Sequence, residues 1–102
     1  MASEVQAYYT VEVTAGSSEV WLPPYSSLNT TITAAPGSGG SALVESNNSD
    51  PDNLVEGAYV EWDAGTVTAS TVESCTGVIS ALRMTATTAD AVFYISQMTE
   101  HA

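Results

Sequence analysis

Over residues 78–97, apolar and polar side chains alternate with a period of two, interrupted only at 87–90, and no helical period fits. Leu82, Met84 and Ala86 alternate with Ala81, Arg83 and Thr85; Ala91, Phe93 and Ile95 alternate with Val92, Tyr94 and Ser96. Successive side chains of a strand point to opposite faces. The pattern therefore predicts two half-buried strands joined as a C-terminal hairpin, with Leu82, Met84, Phe93 and Ile95 in the core. The alternation is also imperfect. Ile79, Val92 and Tyr94 put apolar groups on the face that should meet water, which marks them as a candidate interface.

The same reading extends upstream. Residues 7–14 set Tyr9, Val11 and Val13 against Tyr8, Thr10 and Glu12, as a first strand does. A turn over 15–18 leads to a short strand over 19–22, which Pro23 and Pro24 end because proline has no ladder donor. Alternation resumes over 28–35, with Leu28, Ile32 and Ala34 inward and threonines outward. Residues 36–41 read as a flexible glycine-rich loop, 42–45 as a brief strand and 46–53 as a polar turn. Residues 58–63 place Ala58, Val60 and Trp62 on one face, with Trp62 as a core anchor, and 66–72 supply one more strand.

About eight short strands result, rich in the β-branched and aromatic residues that fit a pleated surface. They predict an all-β fold: a small two-sheet antiparallel β-sandwich with jelly-roll or Greek-key connections, between which periodicity does not choose. At 102 residues the chain has room for one core. The expected layout is an N-terminal arm over 1–7, a sandwich domain over 8–97 and a C-terminal tail over 98–102. The arm either becomes ordered on a partner or is an ordinary mobile terminus.

Twelve acidic residues against Arg83 alone give a formal net charge of −11. Nucleic acids and anionic membranes are held through Lys and Arg, so neither is an expected partner. The charge serves either solubility or attraction to a basic surface. No stretch reaches the roughly 20 apolar residues that span a bilayer, and residues 1–7 lack the basic and apolar regions of a secretory signal. Synthesis and folding in a cytoplasm are therefore expected.

Catalytic constellations are missing. His101 is the single histidine and Cys75 the single cysteine, so neither a zinc set nor a serine–histidine–acid triad can be assembled. Cys75 has no basic neighbour in sequence to activate it and reads as a small buried thiol. The glycines at 39 and 40 lack the lysine of a phosphate loop. Asp50, Asp52, Asn53 and Glu56 offer oxygen ligands, but their spacing departs from the calcium-loop pattern, and a solvated turn is the expectation. No cofactor and no enzymatic activity are expected.

Residues 59–69 (Tyr-Val-Glu-Trp-Asp-Ala-Gly-Thr-Val-Thr-Ala), 81–86 (Ala-Leu-Arg-Met-Thr-Ala) and 93–97 (Phe-Tyr-Ile-Ser-Gln) together resemble the small structural virion proteins of tailed bacteriophages. The resemblance covers the C-terminal half and lies in texture and strand order. It carries no functional motif, and Arg83 acquires no role from it. It implies a non-enzymatic head decoration, cement or knob protein, often a homotrimer, on the outside of the major capsid protein lattice of a virion. Two alternatives stand beside it. One is a tail or neck component of the same particle. The other is a carbohydrate-binding, adhesin-like module that would use Tyr8, Trp21, Tyr25 and Tyr59 as stacking platforms.

Overall fold

A computed structural model describes residues 3–24, 29–76 and 78–101, and among them the chain forms eight β-strands and no α-helix. The strands are β1 (Ser3–Val13), β2 (Ser17–Trp21), β3 (Asn29–Pro36), β4 (Ser41–Asn47), β5 (Val60–Glu61), β6 (Thr71–Thr76), β7 (Ala81–Thr87) and β8 (Ala91–His101). A short 3-10 turn occupies Glu56–Ala58. The strands make two four-stranded antiparallel sheets, ordered β1-β8-β3-β6 and β2-β7-β4-β5. Every connection except β4 to β5 crosses between sheets. The expected all-β sandwich is therefore present, with jelly-roll connections.

The inner faces follow from the alternation. Leu82, Met84 and Ala86 of β7 meet Ala91, Phe93 and Ile95 of β8 in one core with Val13, Ile32, Ala34, Ala42, Val44 and Trp62. Large side chains are interleaved with alanines, which lets two sheets about 10 Å apart interdigitate. Each large apolar side chain so buried contributes about 1.5–3 kcal/mol. Trp62 sits at the margin, 8% exposed, and its indole N–H donates to Gly65 O at 2.6 Å.

The two C-terminal strands do not form the expected hairpin. β7 pairs with β2 and β4, whereas β8 pairs with β1 and β3. The connection between them, with Thr88 at φ 72°, arches from one sheet to the other. A period of two is the same for strands lying side by side and for strands facing each other across a core, so it assigns faces and leaves partners open.

Three other boundaries differ from the sequence expectation. β1 and β8 pair from Val13–Ala91 to Ser3–His101, so residues 3–7 and 98–101, expected as arm and tail, belong to strands. β3 pairs with β8 only as far as Gln97, and the longest dimension reaches 48 Å. The strand expected over 58–63 shrinks to β5, because the Glu56–Ala58 turn takes its first residue. Trp62 N–H still donates to Val44 O at 3.0 Å, which keeps the ring inward. Over 66–72 only Val67 bridges, to Ala42, until β6 begins at Thr71. β6 escaped notice because it is an edge strand that turns Glu73 and Cys75, rather than large apolar groups, toward the interior.

The glycine-rich loop is packed rather than free. Gly37 N–H donates to Asp90 O at 2.9 Å. A Cβ on Gly40 would lie 2.8 Å from Ala89 Cβ and 2.9 Å from Thr87 O. Asp90 also accepts Ala15 N–H at 2.8 Å, so the β1–β2, β3–β4 and β7–β8 turns are tied together at one end of the sandwich.

Candidate functional site

Pairing register determines which side chains share the outer face of the β1-β8-β3-β6 sheet. One row holds Glu12, Val92 and Ala35; the next Thr10, Tyr94, Thr33 and Val72; the next Tyr8, Ser96, Thr31 and Ser74. Gln6 and Met98 follow. Tyr8 is 71% exposed, Val72 59% and Tyr94 50%. Among the described side chains of this face Glu12, at one end, is the only charged one, although the chain carries −11 overall. Between the rings lies a shallow depression of about 190 Å³, lined by Tyr8, Thr10, Thr31, Thr33, Tyr94 and Ser96. Thr31 and Ser74 share a hydroxyl hydrogen bond at 3.0 Å, and the Tyr8 hydroxyl donates to Gln6 Oε1. Aromatic rings beside hydroxyls can stack on a ligand and exchange hydrogen bonds with it.

Of the three candidate interface residues, Val92 and Tyr94 lie on this face. Ile79 does not: it precedes β7 in the other layer and packs, half-buried, against the core. Grouping it with the other two depended on the hairpin that the fold lacks. Thr10, Thr31, Thr33, Val72 and Ser96 were not singled out from sequence. The outward threonines of the third strand were visible, but nothing local says that β3 lies beside β8.

Arg83 occupies the outer face of the opposite sheet. Its Nε and Nη2 donate to Glu45 Oε1 and Oε2, each at 3.0 Å, and its Nη1 donates to Glu56 Oε1 at 2.5 Å. The guanidinium carbon lies 4.1 Å from the centre of the Tyr59 ring. Its hydrogen bonds to the carboxylates of Glu45 and Glu56 hold its pKa above even the usual arginine range. The lone cation is thus consumed within the protein. Glu56, read as a possible calcium ligand, is turned to Arg83, and Asp50 Oδ1 accepts Asp52 N–H at 2.9 Å. Among the described residues no three His, Cys, Asp or Glu side chains are grouped to hold a metal.

Cys75 faces inward from β6, half-buried, and burial, with Glu73 and Asp63 nearby, pushes its thiol pKa up. This disfavours the thiolate that a nucleophile needs. The proposed stacking platforms do not share one row. Trp21 packs on Tyr9 with ring centres 5.1 Å apart, Tyr59 lies beneath Arg83, Tyr8 is exposed, and Tyr25 lies outside the described residues. The His101 side chain also lies outside the description.

No protein-family model and no curated protein sequence matches the chain. A solved chain of the Bacillus endospore appendages, described as a family of disulfide-linked pili, superposes with a TM-score of 0.52 at 12% identity. The superposition covers 95% of this chain and 89% of that one. The two chains share a fold over nearly their whole lengths.

Proposed function

We propose that this chain is a non-enzymatic structural subunit of an assembly displayed on the outside of a particle or cell. The observation that carries this reading is the near full-length likeness to a chain from an assembled surface appendage. The form favoured by the sequence resemblance is a decoration or cement protein, acting as a homotrimer on the major capsid protein lattice of a phage head. A charge of −11 suits a subunit that stays apart in solution and docks on a basic surface.

The test is to add purified protein to expanded heads that lack it, then measure bound copies and head disruption temperature at low and high salt. A protein that binds the lattice and not its separated subunits stabilises the lattice by about 2.7 kcal/mol per site at one hundred times its dissociation constant. Saturable binding and a concentration-dependent rise in disruption temperature are expected. No binding would remove the capsid form of the proposal.

The pilus likeness favours a second form, in which the subunits assemble with one another into an appendage. Cys75 is the only cysteine here, so disulfides could join these chains in pairs at most. A fibre of this protein would therefore be held by non-covalent contacts. Filaments in electron micrographs of concentrated protein, unchanged by reductant, would support this form over the capsid one.

A further inference from the structure

In a protein with twelve acidic groups, the rows of this face through Thr10–Tyr94, Tyr8–Ser96 and Gln6–Met98 carry no charge, and among its described side chains only Glu12, at one end, is charged; that uncharged stretch suits an uncharged ligand. We propose that the outer face of the β1-β8-β3-β6 sheet binds a neutral oligosaccharide, with sugar rings on Tyr8 and Tyr94 and sugar hydroxyls bonded to the surrounding threonines and serines. Thr10 stands opposite Tyr94 and Tyr8 opposite Ser96, so the two tyrosines are diagonal neighbours on adjacent strands. Such neighbours are about 7–8 Å apart, near enough for their rings to serve one short oligosaccharide. Tyrosine contributes an apolar ring face for the C–H side of a sugar while its hydroxyl stays wet. Thr10, Thr31, Thr33 and Ser96 supply donors and acceptors around the depression between the rings. The inference is independent of the structural-subunit reading.

The rival occupant is a second copy of this face, and size and charge disfavour it. The four strands, of 11, 11, 8 and 6 residues, rise about 3.3 Å per residue and lie about 4.8 Å apart, which gives a plane of roughly 570 Å². Stable protein pairs bury about 800 Å² per partner. Each copy also carries a net charge of −11, so bringing two of these faces together sets like-charged molecules against each other, whereas a neutral sugar meets no such repulsion. An acidic polysaccharide is disfavoured by the charge of the whole chain.

The experiment is amide NMR of labelled protein titrated with cellohexaose, mannohexaose and N-acetylchitohexaose, with oligogalacturonate as the acidic comparison. At about 10 mM sugar any site with a dissociation constant tighter than about 1 mM is nearly filled. Expected are shifts confined to outward residues of β1, β8 and β3 with at least one neutral sugar, insensitive to salt. Tyr8→Ala and Tyr94→Ala should each weaken binding by about tenfold, or ~1.4 kcal/mol, without moving the denaturation midpoint. Three outcomes would overturn the proposal: no shifts with any neutral sugar, shifts mapping elsewhere, or unaltered binding by both variants. Concentration-dependent shifts of this face without sugar would overturn it too, by assigning the face to a second copy.

Discussion

Replacing Arg83 with Met tests how the chain tolerates its own charge. Met keeps much of the apolar stem and removes three charge-assisted hydrogen bonds and a cation–π contact. The side chains of Arg83 and Glu45 are 23% and 14% exposed, between the surface and buried cases. Exposed pairs contribute about 0–1 kcal/mol, whereas deleting one partner of a buried pair costs about 3–5 kcal/mol. The intermediate burial therefore sets the expected loss at about 2–3 kcal/mol. Part of it is repulsion, because Glu45 stands opposite Glu61 in the β4–β5 ladder and Glu56 loses its counter-charge as well. Screening shortens to about 3 Å in 1 M salt, so the variant should recover stability there relative to the parent chain. Urea denaturation of the parent, Arg83→Met, Glu45→Gln and the double variant, at low and high salt, measures both effects. If Arg83→Met leaves the midpoint in place, or if the single losses add within about 0.5 kcal/mol in the double variant, the coupling inferred from geometry does not exist.

Gly40→Ala should cost about 1–3 kcal/mol by forcing the β3–β4 and β7–β8 turns apart, with partial recovery in Gly40→Ala/Ala89→Gly, read by thermal melts. Recovery stays partial because Thr87 O remains 2.9 Å from the new Cβ. Trp62→Ala should cost about 3–5 kcal/mol, since the ring closes the sandwich beside the two-residue β5, and an unmoved midpoint would contradict its anchoring role. Trp21→Ala should cost less, because its ring packs half-buried on Tyr9 beside an edge strand.

Sequence reasoning read side-chain direction well and strand partnership poorly. Leu82, Met84, Phe93 and Ile95 are inward as the alternation required, because direction along a strand is a local property. That β8 lies between β1 and β3 depends on segments more than 50 residues apart in the chain, and no local pattern encodes it. The candidate face inherits that division. Tyr8 and Tyr94 could each be seen to point outward, but the surface they share exists only once β1 and β8 are paired. Residues 3–7 were read as an arm because they show no hydrophobic pattern, yet their ladder is made of backbone hydrogen bonds, which need no side-chain pattern. The loop at 37–40 looked free because glycine composition reports conformational permissiveness; here the missing side chains serve close approach.

The β1–β8 ladder also governs how the molecule answers to mechanical load. Because the strands are antiparallel, Ser3 and His101 lie across from each other at one end of it. Tension between those two residues acts at right angles to the strands and falls first on the outermost hydrogen bonds, opening the ladder pair by pair from its tip. Pulled from these residues the sheet unzips. Tension along the strands would instead load many hydrogen bonds together and shear them, so the resistance of this subunit to force depends on where the load is attached.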